Sequence, residues 1–146
     1  MSELLTLYQN ICDLKKRAGF NASTDILKLV TEEMAHKYYG GDLIGGSEKG
    51  RDIKGSPTHR DVSVKGRPIK HFTKQNTPEL RTPIRTSHWN FDYVVVVMFE
   101  PEYTEFYEMI EFTKDYFQKH ARKDDHDNRW EMGLTIPHYK AGRKFK

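Results

Sequence analysis

Phe91-Asp92-Tyr93-Val94-Val95-Val96-Val97-Met98-Phe99 is the clearest strand signal in the chain. Four successive valines are stiff at χ1 and favour extended backbone. The run is apolar without alternation, which requires burial on both faces. It therefore predicts a central strand in a sheet covered from both sides. Upstream, Arg60-Asp61-Val62-Ser63-Val64-Lys65-Gly66 alternates polar and apolar. Strand geometry puts Asp61, Ser63 and Lys65 on one face and Val62 and Val64 on the other. Downstream, Glu105 to Phe112 alternates well enough to be a neighbouring strand.

Helices are predicted on either side of these strands. In residues 2–18, Leu4, Leu5, Tyr8, Ile11, Cys12 and Leu14 recur at helical spacing, and Gly19 ends the pattern. A second helix is predicted from a cap at Ser23 or Thr24, with Asp25 early in its first turn, to about Tyr39. Ile26, Leu27, Val30, Met34 and Tyr38 form its apolar stripe, and Gly40-Gly41 stops it. Glycines 45, 46, 50 and 55 then punctuate a turn-rich stretch with short strands expected near 42–44 and 50–54. Residues 67–90 carry Pro68, Pro78 and Pro83 and are expected to form a long basic loop. Thr113 is placed to cap a helix to about Ala121. A charged turn follows at 124–128, then a short strand at 130–136 and a frayed basic tail at 140–146. The class is α/β (α+β): one domain over 1–146, its core about 24–136, with a mixed sheet flanked by helices.

Composition narrows the function classes. At 146 residues, with 36% hydrophobic and 12% aromatic residues, the chain can bury a core without staples. The lone Cys12, expected to be a small buried hydrophobe, argues against a disulfide scaffold or a cysteine zinc site and fits a reducing, cytoplasmic setting. The start of the chain shows no basic leader or apolar signal core, and the run from Tyr93 to Phe99 is too short to span a bilayer. No membrane partner is expected. The seven histidines have neither HxxxH nor HxH spacing, and no P-loop or GxSxG elbow is present. The net charge of +3 is unevenly spread. Between Lys49 and Asn90 there are ten Lys or Arg against three acids; between Phe91 and Asp115 there are seven acids against one lysine. The basic block suits a polyanionic partner.

The chemistry concentrates around Asp52-Ile53-Lys54-Gly55 and the strand that follows. Acids with one lysine at a strand end can hold a divalent metal and position a water against a phosphodiester. A helix ends Glu-Glu-Met-Ala-His-Lys-Tyr-Tyr-Gly-Gly; then come Gly-Arg-Asp-Ile, Val-Ser-Val-Lys-Gly-Arg and Phe-Asp-Tyr-Val-Val-Val-Val. This order, over about residues 24–112, resembles the PD-(D/E)xK, or restriction-endonuclease-like, nuclease superfamily, in particular its small bacterial and phage members. The resemblance implies a central mixed sheet flanked by helices and a Mg²⁺-dependent endonuclease, with Mn²⁺ as a substitute. It also implies double-stranded DNA as the partner and a homodimer that cuts both strands.

By the same resemblance, Asp52 matches the first strand acid, a metal ligand, and Lys65 the lysine beside the attacking water. Glu32 matches the helix acid. Helical rotation of about 100° per residue leaves Glu33 nearer the apolar stripe and Glu32 nearer Ala35 and Tyr39, so Glu33 stays open. Ser63 stands where Glu, Asp or Gln is usual, and serine is a poor Mg²⁺ ligand. Asp61, Glu79 or Glu32 could supply the ligand instead. Arg60, Arg67, Lys70, Lys74, Arg81 and Arg85 are the candidate phosphate contacts. Two alternatives remain: an inactive nuclease fold that binds nucleic acid or a protein, and a small structural or regulatory protein.

Overall fold

The computed structural model describes residues 2–17, 25–44, 51–101 and 105–146. In chain order the elements are α1 (Glu3–Arg17), α2 (Ile26–Tyr39), β1 (Asp42–Leu43), β2 (Ile53–Ser56), β3 (Arg60–Phe72), β4 (Pro78–Leu80) and β5 (Ile84–Thr86). They continue with β6 (Tyr93–Phe99), β7 (Phe106–Thr113), α3 (Lys114–His120), β8 (Arg122–Asp124), β9 (Arg129–Met132), α4 (Ile136–Ala141) and β10 (Arg143–Phe145). The valine run is β6. It lies between β3, to which it runs parallel, and β7, to which it is antiparallel. The main sheet has the order β1-β2-β3-β6-β7-β10, with β4 paired to β3, and β5-β9-β8 form a second, smaller sheet. The fold is α+β with a central mixed sheet.

Both faces of the main sheet are covered. Val62, Val64, Val95 and Val97 point to the side of α2, where Ala35 and Tyr39 pack on them. Val94, Val96, Met98 and Ile110 point the other way, against Phe117 of α3 and against Ile84 and Met132 of the small sheet. Val94 to Val97 are all at most 1% exposed, and each such burial contributes on the order of 2 kcal/mol. Trp89 and Trp130 stand beside one another on this second side, ring centroids 6.0 Å apart, with Trp89 also against Phe91 and Phe117.

Several expectations are corrected. The segment 67–90 is not one loop: β3 runs on to Phe72, turns back into β4, and β5 follows. Pro68 is the last β3 residue paired with β6, and its carbonyl accepts from the Arg81 N–H. The basic tail is not frayed either. It forms α4 and then β10, which completes the far edge of the sheet against β7. On α1, Leu4, Leu5, Leu7 and Tyr8 remain exposed, and Cys12 is only half-buried. The cap of α2 is Asp25, whose carboxylate accepts from the Leu27 N–H at 2.8 Å; Ser23 and Thr24 fall outside the described residues. No helix among the described residues is long and apolar enough to cross a membrane.

One buried acid joins four elements on the α2 side. Glu111 of β7 accepts a 2.6 Å hydrogen bond from Tyr39 of α2. It also pairs with His59 of the β2–β3 turn at 3.0 Å and with Arg143 of β10 at 3.5 Å. Burial, then the Glu111 bond, holds the Tyr39 phenol far above the usual tyrosine range.

Candidate active site

The site starts from a residue with no side chain. A Cβ at Gly66 would lie 2.4 Å from Thr31 Oγ1, so glycine lets α2 approach β3 closely there. Thr31 is itself fixed by donating to the Leu27 carbonyl at 2.7 Å. This approach sets the rotation of α2. Its buried face is Leu29, Thr31, Glu32, Ala35 and Tyr39, whereas Ile26, Val30 and Tyr38 of the expected apolar stripe are exposed. Glu32 is thereby turned inward to 1% exposure, and Glu33 faces solvent, 3.8 Å from Lys37.

Asp52 reaches the same place from just before β2. Its backbone N–H donates to the Val62 carbonyl, and its Oδ2 accepts from the Val64 N–H at 2.7 Å. The carboxylate is thus tied to the motif strand one residue before Lys65. Glu32, Asp52 and Lys65 line one cleft of about 420 Å³, with Lys28 and Arg67 at its rim. Neither carboxylate oxygen of Glu32 has a hydrogen-bond partner, and Lys28 stands 4.0 Å away. Burial first, then the Asp52 carboxylate, pushes Glu32 from the ordinary 4.5 up to about 8, so it holds its proton at neutral pH. Burial pulls Lys65 below the usual lysine range, opposed chiefly by Asp52.

The other expected ligands are elsewhere. Asp61 is held by Arg51 at 2.6 Å and by the Gly55 N–H, and Glu79 pairs with His71 at 2.9 Å; neither lines the cleft. Ser63 is 1% exposed, beside Val94, and its hydroxyl has no partner. Of the expected phosphate contacts, Arg67 lines the cleft and Arg85 an adjoining groove. Arg60 is at the opposite end of the motif strand, by Asp92 and Lys114. Lys70 and Lys74 are exposed along the β3–β4 hairpin, and Arg81 donates to the Pro101 carbonyl. Sequence reading missed Lys28 and Arg129. Lys28 had a usable signal, its i, i+4 spacing from Glu32. Arg129 had none, because only the β5–β9 pairing brings it near.

Among the described residues no group of three or more His, Cys, Asp or Glu side chains is placed to hold a metal. The cleft offers two carboxylates. That donor set fits Mg²⁺, which binds through one or two carboxylates and otherwise keeps water and substrate phosphate oxygens. The unpartnered, buried Glu32 carboxyl is what such an ion would satisfy. The fold and cleft together define an α+β domain with an acid–acid–lysine constellation between a helix and the motif strand. The chain matches no protein-family model and no curated protein.

Proposed function

We propose that this protein is a Mg²⁺-dependent endonuclease of the PD-(D/E)xK, restriction-endonuclease-like, type, acting on DNA in the cytosol. One observation carries the reading: Glu32, buried with both carboxylate oxygens unpartnered, shares a cleft with Asp52 and Lys65. A buried carboxyl without partners is costly and calls for a ligand. In this reading Glu32 and Asp52 would hold the divalent ion, Glu32 giving up its proton to solvent on binding, and the bound ion would supply charge stabilisation at the scissile phosphate. Asp52, locked to the Val64 N–H, keeps one oxygen directed by the strand. Lys65 orients the attacking water and contacts the phosphate. Burial lowers its pKa, which favours proton exchange with that water. Cutting both strands of a duplex would call for a homodimer.

Supercoiled plasmid incubated with Mg²⁺ or Mn²⁺ tests this directly. Wild-type protein should nick or linearise it. Asp52→Ala and Lys65→Ala should lose at least about a hundredfold in rate; Asp52→Ala also leaves the Val64 N–H without its acceptor, at about 1–3 kcal/mol, so an unchanged far-ultraviolet spectrum is the control for folding. Undiminished cleavage by either variant would remove the site assignment.

A second reading is favoured by Ser63. With serine buried at the usual acid position, the chain could be an inactive nuclease fold that binds nucleic acid or a protein. Binding without cleavage under either metal would select it.

A further inference from the structure

A groove opens off the cleft at Lys65 and Arg67, and Thr82 with Arg85, Thr86, Ser87 and Arg129, in or beside the small sheet, supplies its other wall. The β5–β9 register explains the grouping. Arg85 faces Glu131 and Thr86 faces Trp130, so Ser87 and Arg129 come next along the two strands. Alternation puts Arg85, Ser87, Arg129 and Glu131 on one face and sends Trp130 to the other, where it meets Trp89.

Each arginine is braced from behind. Arg85 Nε donates to Glu131 at 3.0 Å and Arg129 Nη2 to Asp127 at 2.5 Å, each contact using one of a guanidinium's five N–H donors. Arg67 is anchored on the Pro83 and Gly66 carbonyls at 3.1 and 2.9 Å. Among the described residues no aromatic ring lines the groove, and the two carboxylates nearest it, Glu131 and Asp127, are engaged by Arg85 and Arg129 and are not among its lining. Fixed guanidiniums with hydroxyls beside them match phosphate oxygens, and the missing rings leave nothing on which a base would stack.

We infer that this groove is a backbone track: it holds a phosphate of the nucleic-acid strand neighbouring the one presented at Lys65, and it does so without reading bases. The inference rests on the nuclease reading for what happens at Lys65, but the binding it describes is measured without metal. The assay is fluorescence anisotropy of two labelled DNA oligonucleotides of unrelated sequence, titrated with the full chain in EDTA across a salt series. Wild type should bind both alike. Arg85→Ala and Arg129→Ala should each weaken both complexes to the same degree and flatten the log–log salt dependence by about 1. Arg129→Lys, which keeps the charge, should keep the slope, and Lys119→Ala on α3 should bind as wild type. Unchanged slopes in both alanine variants, a loss confined to one sequence, or no wild-type binding would each overturn the track. Wild-type binding with the expected variant losses but no cleavage in Mg²⁺ would overturn the nuclease reading alone. Cleavage with unaltered variant binding would overturn the track alone.

Discussion

Glu32 has opposite preferences in the folded and unfolded chain. Unfolded, it titrates at the ordinary 4.5; folded, at about 8. Between those values the folded protein holds a proton that the unfolded chain releases, so its contribution is full below the lower value and is lost as pH rises through the upper one. In metal-free buffer the wild type should therefore lose stability relative to Glu32→Gln between about pH 5 and 8, by on the order of a few kcal/mol. Urea midpoints of the two proteins across that range check this; parallel profiles would contradict a Glu32 carboxyl buried beside the Asp52 charge. Ser63 makes a different prediction. Its partnerless hydroxyl should make Ser63→Ala neutral or up to about 1 kcal/mol more stable by the same measurement. Ser63→Glu should not raise plasmid cleavage, because the cleft already has two acids and the new carboxylate would start from a buried position. Cleavage seen in Ser63→Glu and not in wild type would identify the natural protein as the inactive, binding form.

At the scale of elements, the contact of α2 with β3 at Gly66 governs the site. Gly66→Ala should drive Thr31 away, cost about 1–3 kcal/mol in urea unfolding and, on the proposed nuclease reading, abolish cleavage with Asp52 and Lys65 unchanged. Loss of stability with full activity would show that the helix acid is dispensable. This contact also explains what was and was not legible in the sequence. The valine strand, the motif strand and the Thr113 cap were legible because their signals are local: unbroken β-branching, strict alternation, and a hydroxyl that accepts from the Tyr116 N–H. The face of α2 was not, because hydrophobicity alone pointed to Ile26 and Val30, while a close helix–strand approach selected Thr31 and Ala35. The hairpin in 67–90 was hidden by its prolines, of which Pro78 opens β4 as its first residue. Asp52 and Lys65 could be named from the order of motifs that carries the superfamily resemblance. The groove could not, since Arg85 and Arg129 meet only through pairing between distant strands.

The whole molecule is tied together at Glu111. Tyr39, His59 and Arg143 meet on its carboxylate from three other elements, so Glu111→Leu should cost about 3 kcal/mol, read as a lower urea midpoint. An effect near zero would mean that apolar packing alone holds α2 and β10 to the sheet. The opposite side of the sheet carries a different label. The chain's two tryptophans, Trp89 and Trp130, are neighbours there, and the α2 side has none. Intrinsic emission therefore reports on one half of the protein, while far-ultraviolet circular dichroism sees α2 as well. If the two melting curves superimpose, the sheet transmits loss of structure from one face to the other as a single cooperative unit. If they separate, the cleft and the tryptophan side are distinct thermal units, and the optical signal shows which gives way first.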